Sequence, residues 1–441
     1  MEPHDQKLER FLVSGYTEHE GQPGIHCFET SSDGNVLFQK RALSGIASPS
    51  FCTLDDNQLY AASETKTQGG LAHCTIDDKV SALVDQIEFG PAAGTCFVLK
   101  HPRAQRLYSA NYDSGSVASC TLSNKGALER PVTIIQHRGQ GAPREEADPH
   151  FDRQTAPHVH TLSFVPGTTL LAVVDLGLDL IAIYKTDAAG NIVDADGNPV
   201  LNIWPCSLGF PKSESNSLFY RSRATSIETA YFELSDSSAH RLYCLERAIP
   251  NERAKAVAKL PLRPAAIVEV PLFTGPRIIA YHPSGNYAAL VCELACELIV
   301  FRLEADGLIW NPIHCWDLLQ DAPVPIAGFI PPLAAHCEFS DDGRFLYASV
   351  RGTDQIITFE LDQRCDLRAM HACSSNGGTP RHFAMSPDQK LMAVANQTGN
   401  NVSLFRRNTS TGALEATATA ACLAPSCIIW KQQRYAPRCS R

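Results

Sequence analysis

The chain has 441 residues, of which 44% are hydrophobic and 19% charged, and its formal net charge is −9. This composition excludes an intrinsically disordered chain, which carries fewer hydrophobic and more charged residues. The negative charge disfavours nucleic acid as a partner, because nucleic acid binds a basic face. No apolar run reaches the roughly 18 residues of a membrane-spanning helix, and the opening MEPHDQKLERFLVSG lacks the apolar core of a signal peptide. We therefore expect no membrane interaction and a cytoplasmic location.

The 16 cysteines do not have the spacing of a disulfide framework or a zinc site. No CxxC pair occurs, and most cysteines lie singly in apolar, strand-like runs, as Cys27, Cys74 and Cys292 do. In a reducing compartment such residues behave as small buried hydrophobic side chains. The sequence therefore predicts free thiols and no bound metal.

The chain begins with two β-prone segments in RFLVSGYTEHEGQPGIHCFET, and then one phrase recurs six times. Each copy is a turn followed by an apolar strand: DDNQLYAAS, RAQRLYSAN, PGTTLLAVVD, PSGNYAALVC, DDGRFLYASV and PDQKLMAVAN. A loop and a second strand with alternating apolar and polar residues follow, such as GSVASCTL or DQIITFEL. Units of about 40 to 50 residues with four strands each are typical of a β-propeller. The fold class predicted is all-β, a single seven-bladed propeller over residues 8–435.

Two features depart from the regular repeat. The last segment, CLAPSCIIW, is expected to close the ring by pairing with the N-terminal blade, which removes an open sheet edge. The third and fourth phrases end at Asp175 and Cys292, much further apart than the other copies. We assign the excess to an insertion at 205–272, between blades four and five. It is either a lid over the channel or a surface elaboration without a chemical role.

Candidate functional residues follow the last residue of each phrase and begin the next blade. Polar residues at these places should converge on the central channel. The positions after the phrases are Glu64, Tyr112, Leu176, Glu293, Arg351 and Gln397, and Asn111 closes the second phrase. The blade entrances carry PHVH (157–160), GPR (275–277), AAHCEF around His336 and GGTPRHF (377–383).

His158 and His160 point to the same face of a strand, because they lie two residues apart. They could bind a metal only with a third ligand from another blade, so one histidine lining the channel is the favoured interpretation. Arg277, Arg351 and Arg381 occupy similar places in neighbouring blades and suggest a site for carboxylate or phosphate.

Glu293 lies in an otherwise apolar segment, where an unpaired charge is costly. It is a contact between blades, paired with Arg277 or Arg351, a general acid or base tuned by them, or both at once. No GxSxG, P-loop or GxGxxG motif occurs. We therefore expect water activation or direct proton transfer, with no cofactor.

These motifs resemble the lactonase family of seven-bladed propellers, which includes bacterial-type 6-phosphogluconolactonases and carboxy-cis,cis-muconate cyclase. The matching phrases cover about two-thirds of the chain: ANYDSGSV, QHRGQG with PHVHTLSF, GPRIIAYHPSGNYAALVCEL, FSDDGRFLYASVRGTDQI and GGTPRHFAMSPDQKLMAVANQTGNNVSLF. The resemblance implies a catalytic set of His160, Glu293, Arg277 and Arg351. Residues expected to bind substrate around that set are His158, Arg381, His382, Asn111 and Gln397. Cys292 and Val350 stand where the family has asparagine.

Three functions follow from this sequence. The leading hypothesis is hydrolysis of a small anionic, phosphosugar-like lactone without metal. The second reverses the reaction, as a carboxymuconate-type cyclase. The third is a propeller without catalytic activity that binds a protein partner through the insertion, since a fold does not fix a function.

Overall fold

The computed structural model describes residues 8–19, 21–77, 81–90, 92–139, 141, 144–146, 148–194, 231–232, 243–244, 264–320, 331–362 and 366–431. Up to residue 136 the strands are β1 (Glu9–Gly15), β2 (Ile25–Thr30), β3 (Leu37–Leu43), β4 (Cys52–Asp55), β5 (Gln58–Glu64), β6 (Gly69–Ile76), β7 (Ser81–Glu88), β8 (Thr95–Lys100), β9 (Arg106–Asn111), β10 (Ser116–Leu122) and β11 (Leu128–Gln136). A short 3-10 helix, Phe151–Gln154, precedes the next sheet.

The middle of the chain continues with β12 (Val159–Phe164), β13 (Leu170–Asp175), β14 (Leu180–Thr186), β15 (Ile192–Val193), β16 (Tyr231–Phe232), β17 (Tyr243–Cys244) and β18 (Ala266–Glu269). The remaining strands are β19 (Pro276–Tyr281), β20 (Tyr287–Cys292), β21 (Glu297–Leu303), β22 (Trp310–Asp317), β23 (Leu333–Phe339), β24 (Phe345–Arg351), β25 (Gln355–Leu361), β26 (Leu367–Ser374), β27 (Pro380–Met385), β28 (Leu391–Asn396), β29 (Asn401–Arg407), β30 (Leu414–Ala421) and β31 (Pro425–Trp430).

Seven antiparallel sheets form the blades of the propeller, as the repeat predicted. Five of them are simple four-stranded meanders: β4–β7, β8–β11, β19–β22, β23–β26 and β27–β30. The innermost strands contact one another around the ring, in the order β31, β4, β8, β12, β19, β23 and β27. Each recurring phrase forms the second strand of a blade, which is covered on both faces by the neighbouring blades. Second strands such as β9, β13 and β28 are therefore buried along their whole length.

The ring is closed by strands from both ends of the chain, which confirms the prediction for the last segment. β31 pairs antiparallel with β1, so the first blade has the order β31, β1, β2 and β3. Trp430 is fully buried there, with its ring 4.8 Å from that of Phe11, and its Nε1 donates to the Ala384 carbonyl at 2.9 Å. This pairing joins the last blade to the first and leaves no open innermost edge.

The insertion lies elsewhere than the sequence predicted. β15 and β18 both pair with β14, at opposite ends of it, so together they supply the outermost strand of blade four. The chain therefore leaves this strand after Val193 and returns at Ala266, inside blade four rather than between blades four and five. The predicted range 205–272 extends too far, because its end forms β18. Most of the stretch, through which a protein partner was predicted to bind, lies outside the described residues.

Twelve cysteines of the described residues are free thiols, and most of them are buried. Within the same part of the chain, no helix has the length and apolar character needed to cross a membrane.

Candidate active site in the central channel

Six innermost strands carry a β-bulge near the same mouth of the channel. At each bulge one residue has no partner on the second strand, and a bulge of this kind re-aims the side chain. The extra residues are Ser426, Cys96, His160, Arg277, Ala335 and Arg381. Because the start of each innermost strand lies beside the end of the second strand, residues from both places meet at this mouth.

A cavity of about 310 Å³, counting the part open to solvent, lies at this mouth. Five of the six bulge residues line it, Ala335 being the exception. The full lining is Tyr16, Ser50, Phe51, Glu64, Cys96, Phe97, His160, Arg277, Ile278, Arg381, His382 and Ser426. Six of the seven blades contribute to it, so the cavity is the end of the central channel.

Glu293 lies behind the cavity and is held by three guanidinium groups. Its Oε2 is 2.8 Å from Arg277 Nε and 3.0 Å from Arg351 Nη2, and its Oε1 accepts from Arg153 Nη2 at 2.7 Å. These arginines outweigh the effect of burial and hold the pKa of the Glu293 carboxyl well below its usual range. The contact between blades predicted for Glu293 is therefore present, and it includes both predicted arginines and Arg153 as well.

Backbone contacts fix two of these arginines in place. Arg277 Nη1 donates to the carbonyl of Ala335, and Arg351 Nη2 donates to that of Ala334 at 3.0 Å. The preceding Gly275 has φ +61°, and a Cβ there would lie 2.4 Å from Leu294 Cγ. Only glycine fits this approach without strain, so the GPR motif sets the direction from which Arg277 enters the site.

His160 is buried and has a defined tautomer. Thr161 Oγ1 donates its single proton to the Arg277 carbonyl at 2.6 Å, so it can only accept from His160 Nδ1 at 3.3 Å. Nδ1 then carries the proton and Nε2 keeps its lone pair. Burial, followed by the Arg277 charge, lowers the pKa of His160 well below its ordinary value. At neutral pH this imidazole is an unprotonated base.

His382 has the opposite tautomer. Its Nδ1 accepts from the Ile428 backbone N–H at 3.3 Å, so its Nε2 carries the proton. The centroids of the His382 and His336 rings lie 4.0 Å apart. Burial, followed by the Arg277 charge, lowers the pKa of His382 to about 3. His382 is therefore a neutral hydrogen-bond donor in the cavity wall.

A second group of polar side chains lines the opposite part of the cavity. The Arg381 guanidinium carbon lies 5.2 Å from the centre of the Tyr16 ring, and the Tyr16 hydroxyl donates to Glu64 Oε2 at 3.1 Å. Burial raises the pKa of the Glu64 carboxyl, an effect that the Arg381 charge opposes. Around the cavity four arginines face two glutamates, an excess of positive charge suited to an anionic ligand.

The comparison with known proteins places this arrangement in a family. The sequence model described as "Lactonase, 7-bladed beta-propeller" matches residues 10–200 and 252–430. The chain belongs to this family. It is 26% identical over 408 residues to 6-phosphogluconolactonase of Bacillus subtilis, covering 91% of this chain and 92% of the relative. It is 28% identical over 414 residues to 6-phosphogluconolactonase of Formosa agariphila, covering 92% and 94%.

Among solved structures, the periplasmic gluconolactonase of Pseudomonas aeruginosa superposes with a TM-score of 0.70 at 24% identity. The match covers 96% of this chain and 99% of that one. At this identity the likeness establishes a common fold. The unmatched residues between 200 and 252 fall within the interruption of blade four.

Three residues of the predicted substrate-binding set do not line the cavity of this lactonase-family chain. Asn111 is fully buried inside blade three, where its amide bonds Thr95 and Ser116 at 2.7 to 3.2 Å. His158 stacks on Tyr112 with ring centres 4.3 Å apart. Gln397 accepts from Arg381 Nη1 at 3.4 Å. These three residues support the wall, whereas Arg381 and His382 are part of it.

The departures at Cys292 and Val350 affect the blades rather than the cavity. Both side chains are fully buried at the ends of β20 and β24. At the same position in blade seven, Asn396 bonds the Ser375 carbonyl and Ser403 Oγ, both at 3.0 Å. An asparagine at this position bonds the second strand to the third strand and to the connection that enters the blade, so the two replacements remove such bonds and no cavity-lining group.

Sequence reasoning missed several residues of the site, among them Tyr16 and Arg153. Tyr16 directly follows β1, as Glu64 stands at the end of β5, and extending the repeat to the opening unit would have found it. Arg153 lies on the 3-10 helix between blades three and four, where it contacts the Tyr112 hydroxyl at 2.8 Å as well as Glu293. No repeat position corresponds to it, so no pattern in the sequence marks it. Among the described residues, no three His, Cys, Asp or Glu side chains are placed to hold one metal ion.

Proposed function

We propose that the protein hydrolyses a small lactone that carries an anionic group, using side chains of the channel cavity as acid, base and anion-binding groups. The observation that supports this most directly is the His160 imidazole, an unprotonated base on a cavity wall that Arg277 and Arg381 also line. Lactone hydrolysis needs a base to deprotonate water and a positive charge for the oxyanion. Two relatives that align over almost their whole length are named 6-phosphogluconolactonase.

In the proposed reaction, water attacks the carbonyl carbon of the lactone and its proton passes to His160 Nε2. The oxyanion that develops on the carbonyl oxygen is stabilised by Arg277. The C–O bond of the ring then breaks and the ring oxygen takes up a proton, which gives the open hydroxy acid. Glu293 takes no proton in this scheme, because its two oxygens bind arginines. It keeps Arg277 oriented instead.

Arg381 is assigned to the anionic group of the substrate. Its guanidinium lines the cavity and lies over the Tyr16 ring, and its one hydrogen bond to Gln397 is long at 3.4 Å. A phosphate or carboxylate offers a shorter, charge-assisted bond in its place. Arg351, which the resemblance assigned to the catalytic set, is proposed to act through Glu293, since it does not line the cavity.

Hydrolysis of 6-phosphoglucono-δ-lactone and of glucono-δ-lactone by the purified full chain tests the proposal, with proton release recorded in a pH-stat and corrected for spontaneous hydrolysis. We expect the phosphorylated lactone to be preferred, and Arg381→Gln to raise its KM while changing the KM of the neutral lactone little. A wild-type protein that accelerates neither reaction contradicts the proposal. Binding of citrate-like tricarboxylates without lactone hydrolysis points to the cyclase instead.

A further inference from the structure

Opening a lactone requires two proton transfers, and His160 accounts for only one of them. The base takes a proton from water, whereas the ring oxygen leaves as an alkoxide that needs a proton donor. Such a donor contributes typically about 10²- to 10⁴-fold in rate. The question is which group of the cavity can supply that proton.

Besides the imidazolium that His160 forms in the first transfer, the lining of the cavity leaves one candidate. Of the twelve described lining residues, Glu64 is the only carboxylic acid. His382 is neutral at physiological pH and a poor proton donor, and guanidinium groups do not give up a proton. Burial raises the pKa of the Tyr16 hydroxyl far above neutrality. Glu293, which the family resemblance favours, does not line the cavity and is held as a carboxylate by three arginines.

We propose that Glu64 is the general acid of the channel, and that it protonates the ring oxygen as the lactone opens. This inference rests on the proposed lactonase function. The carboxyl proton of Glu64 passes to the ring oxygen while the C–O bond breaks and its electron pair stays on that oxygen. Glu64 is left as a carboxylate and His160 as an imidazolium. Transfer of the imidazolium proton back to Glu64 through water restores both groups.

The surroundings of Glu64 suit this task. Burial raises the pKa of its carboxyl, and the charge of Asp113 on the turn after β9 acts in the same direction. Arg381 on β27, the hydrogen bond from the Tyr16 hydroxyl and the nearby Ser50 hydroxyl act in the opposite direction. Cys96, on β8, is the other ionisable neighbour, and burial raises the pKa of its thiol well above the ordinary value, which keeps it neutral. The carboxyl thus stays protonated to higher pH than an exposed glutamate.

The test is the pH dependence of kcat for 6-phosphoglucono-δ-lactone in wild type, Glu64→Gln, Tyr16→Phe and Asp113→Asn. Glu88→Gln, at an exposed position of the same blade, is the matched control. Wild-type kcat should fall on the alkaline side as Glu64 loses its proton. Glu64→Gln should lower kcat by at least about 100-fold and abolish that alkaline decline. Glu88→Gln should behave as wild type.

Tyr16→Phe and Asp113→Asn test the ionisation of Glu64 separately from its contribution to folding. If Glu64 had only a structural role, neither variant would shift the pH of the alkaline decline. Tyr16→Phe removes a hydrogen bond that favours the ionised carboxylate, so the alkaline decline should move to higher pH. Asp113→Asn removes a negative charge that disfavours ionisation, so the decline should move to lower pH. These shifts decide the matter even if Glu64→Gln does not fold.

Three outcomes separate this inference from the proposed function. An active wild type whose kcat and pH profile are unchanged by Glu64→Gln overturns the role of Glu64 and leaves the lactonase intact. So does an alkaline decline that stays in place in both neighbouring variants. A wild type without lactonase activity overturns the proposed function, and the role of Glu64 with it.

Discussion

Replacing Glu293 by glutamine should destabilise the propeller strongly, because this carboxylate is the common partner of three arginines. Arg277 and Arg351, whose side chains are 4% and 6% exposed, lie 2.8 and 3.0 Å from Oε2. Removing one partner of a buried ion pair costs about 3–5 kcal/mol, since it leaves an uncompensated buried charge. Arg153 is 28% exposed, and a pair of that kind contributes about 1 kcal/mol at most. We therefore expect Glu293→Gln to cost about 3–5 kcal/mol at pH 7 and Arg153→Gln about 1 kcal/mol or less.

The loss should also depend on pH in a defined direction. The pKa of Glu293 is lowered in the folded state, so its contribution is fully present above the unfolded pKa, about 4.3. It is lost as the pH falls through the lower folded value. The difference in stability between wild type and Glu293→Gln should therefore be full at pH 7 and shrink progressively below about pH 4.3.

Urea denaturation followed by tryptophan fluorescence at several pH values measures both effects. Urea is uncharged and does not screen the ion pairs, as guanidinium chloride would. The unfolding midpoints of wild type, Glu293→Gln and Arg153→Gln report stability directly as long as the three proteins share the same m-value, the slope of the unfolding free energy against urea concentration. If Glu293→Gln is no less stable than Arg153→Gln at pH 7, the three-arginine contact does not hold the blades together and the argument fails.

Three further predictions concern the base, the entrance of blade five and the closure of the ring. The pKa of His160 is well below its ordinary value, so kcat/KM for the lactone should not fall on the acid side until well below about pH 6.5. His160→Asn should lower kcat/KM by about 10²- to 10⁴-fold, and an acid decline centred near pH 6.5 in pH-stat assays would count against His160 as the base. Gly275→Ala should lower the free energy of unfolding in urea by more than about 1 kcal/mol. Gly90→Ala should lower it less, because Gly90 has a similar φ of +67° but open space where its Cβ would lie. Equal losses of stability would show that the contact with Leu294 is unimportant. Trp430→Ala should lower the free energy of unfolding by about 3–5 kcal/mol in the same measurement, because the indole is fully buried between the first and last blades. A variant as stable as wild type would contradict the closure of the ring by β31.

The repeat allowed the fold to be predicted from local patterns. Each phrase combines a turn with an apolar second strand, and both are encoded by residues that are neighbours in the chain. The prediction of ring closure also succeeded, because CLAPSCIIW has the pattern of a strand that lacks a blade of its own. The position of the insertion was wrong, because the outermost strand of blade four is supplied by two short pieces, one of which lies far along the chain. Neither piece has a repeat pattern that could be recognised.

The candidate site was predicted in part. His160, Arg277, Arg381 and His382 were named from motifs at the blade entrances, and the structure brings all four to the cavity. Asn111 was assigned to substrate because it closes a phrase, but the same local position directs its amide into the blade. The resemblance placed Arg351 in the catalytic set, and the structure turns it towards Glu293 instead.

The seven-fold repeat, the closure of the ring and the positive charge of the channel follow from local patterns in the sequence. These depend on strand periodicity and on residue types at repeating positions, which are properties of short segments. Local patterns do not specify which groups face the cavity and which lie behind it. That choice depends on bulges in the innermost strands, on contacts between blades, and on Arg153 from a connection outside the repeat. The side chains on both sides of the channel mouth come from six different blades, and no local pattern specifies the distances between them.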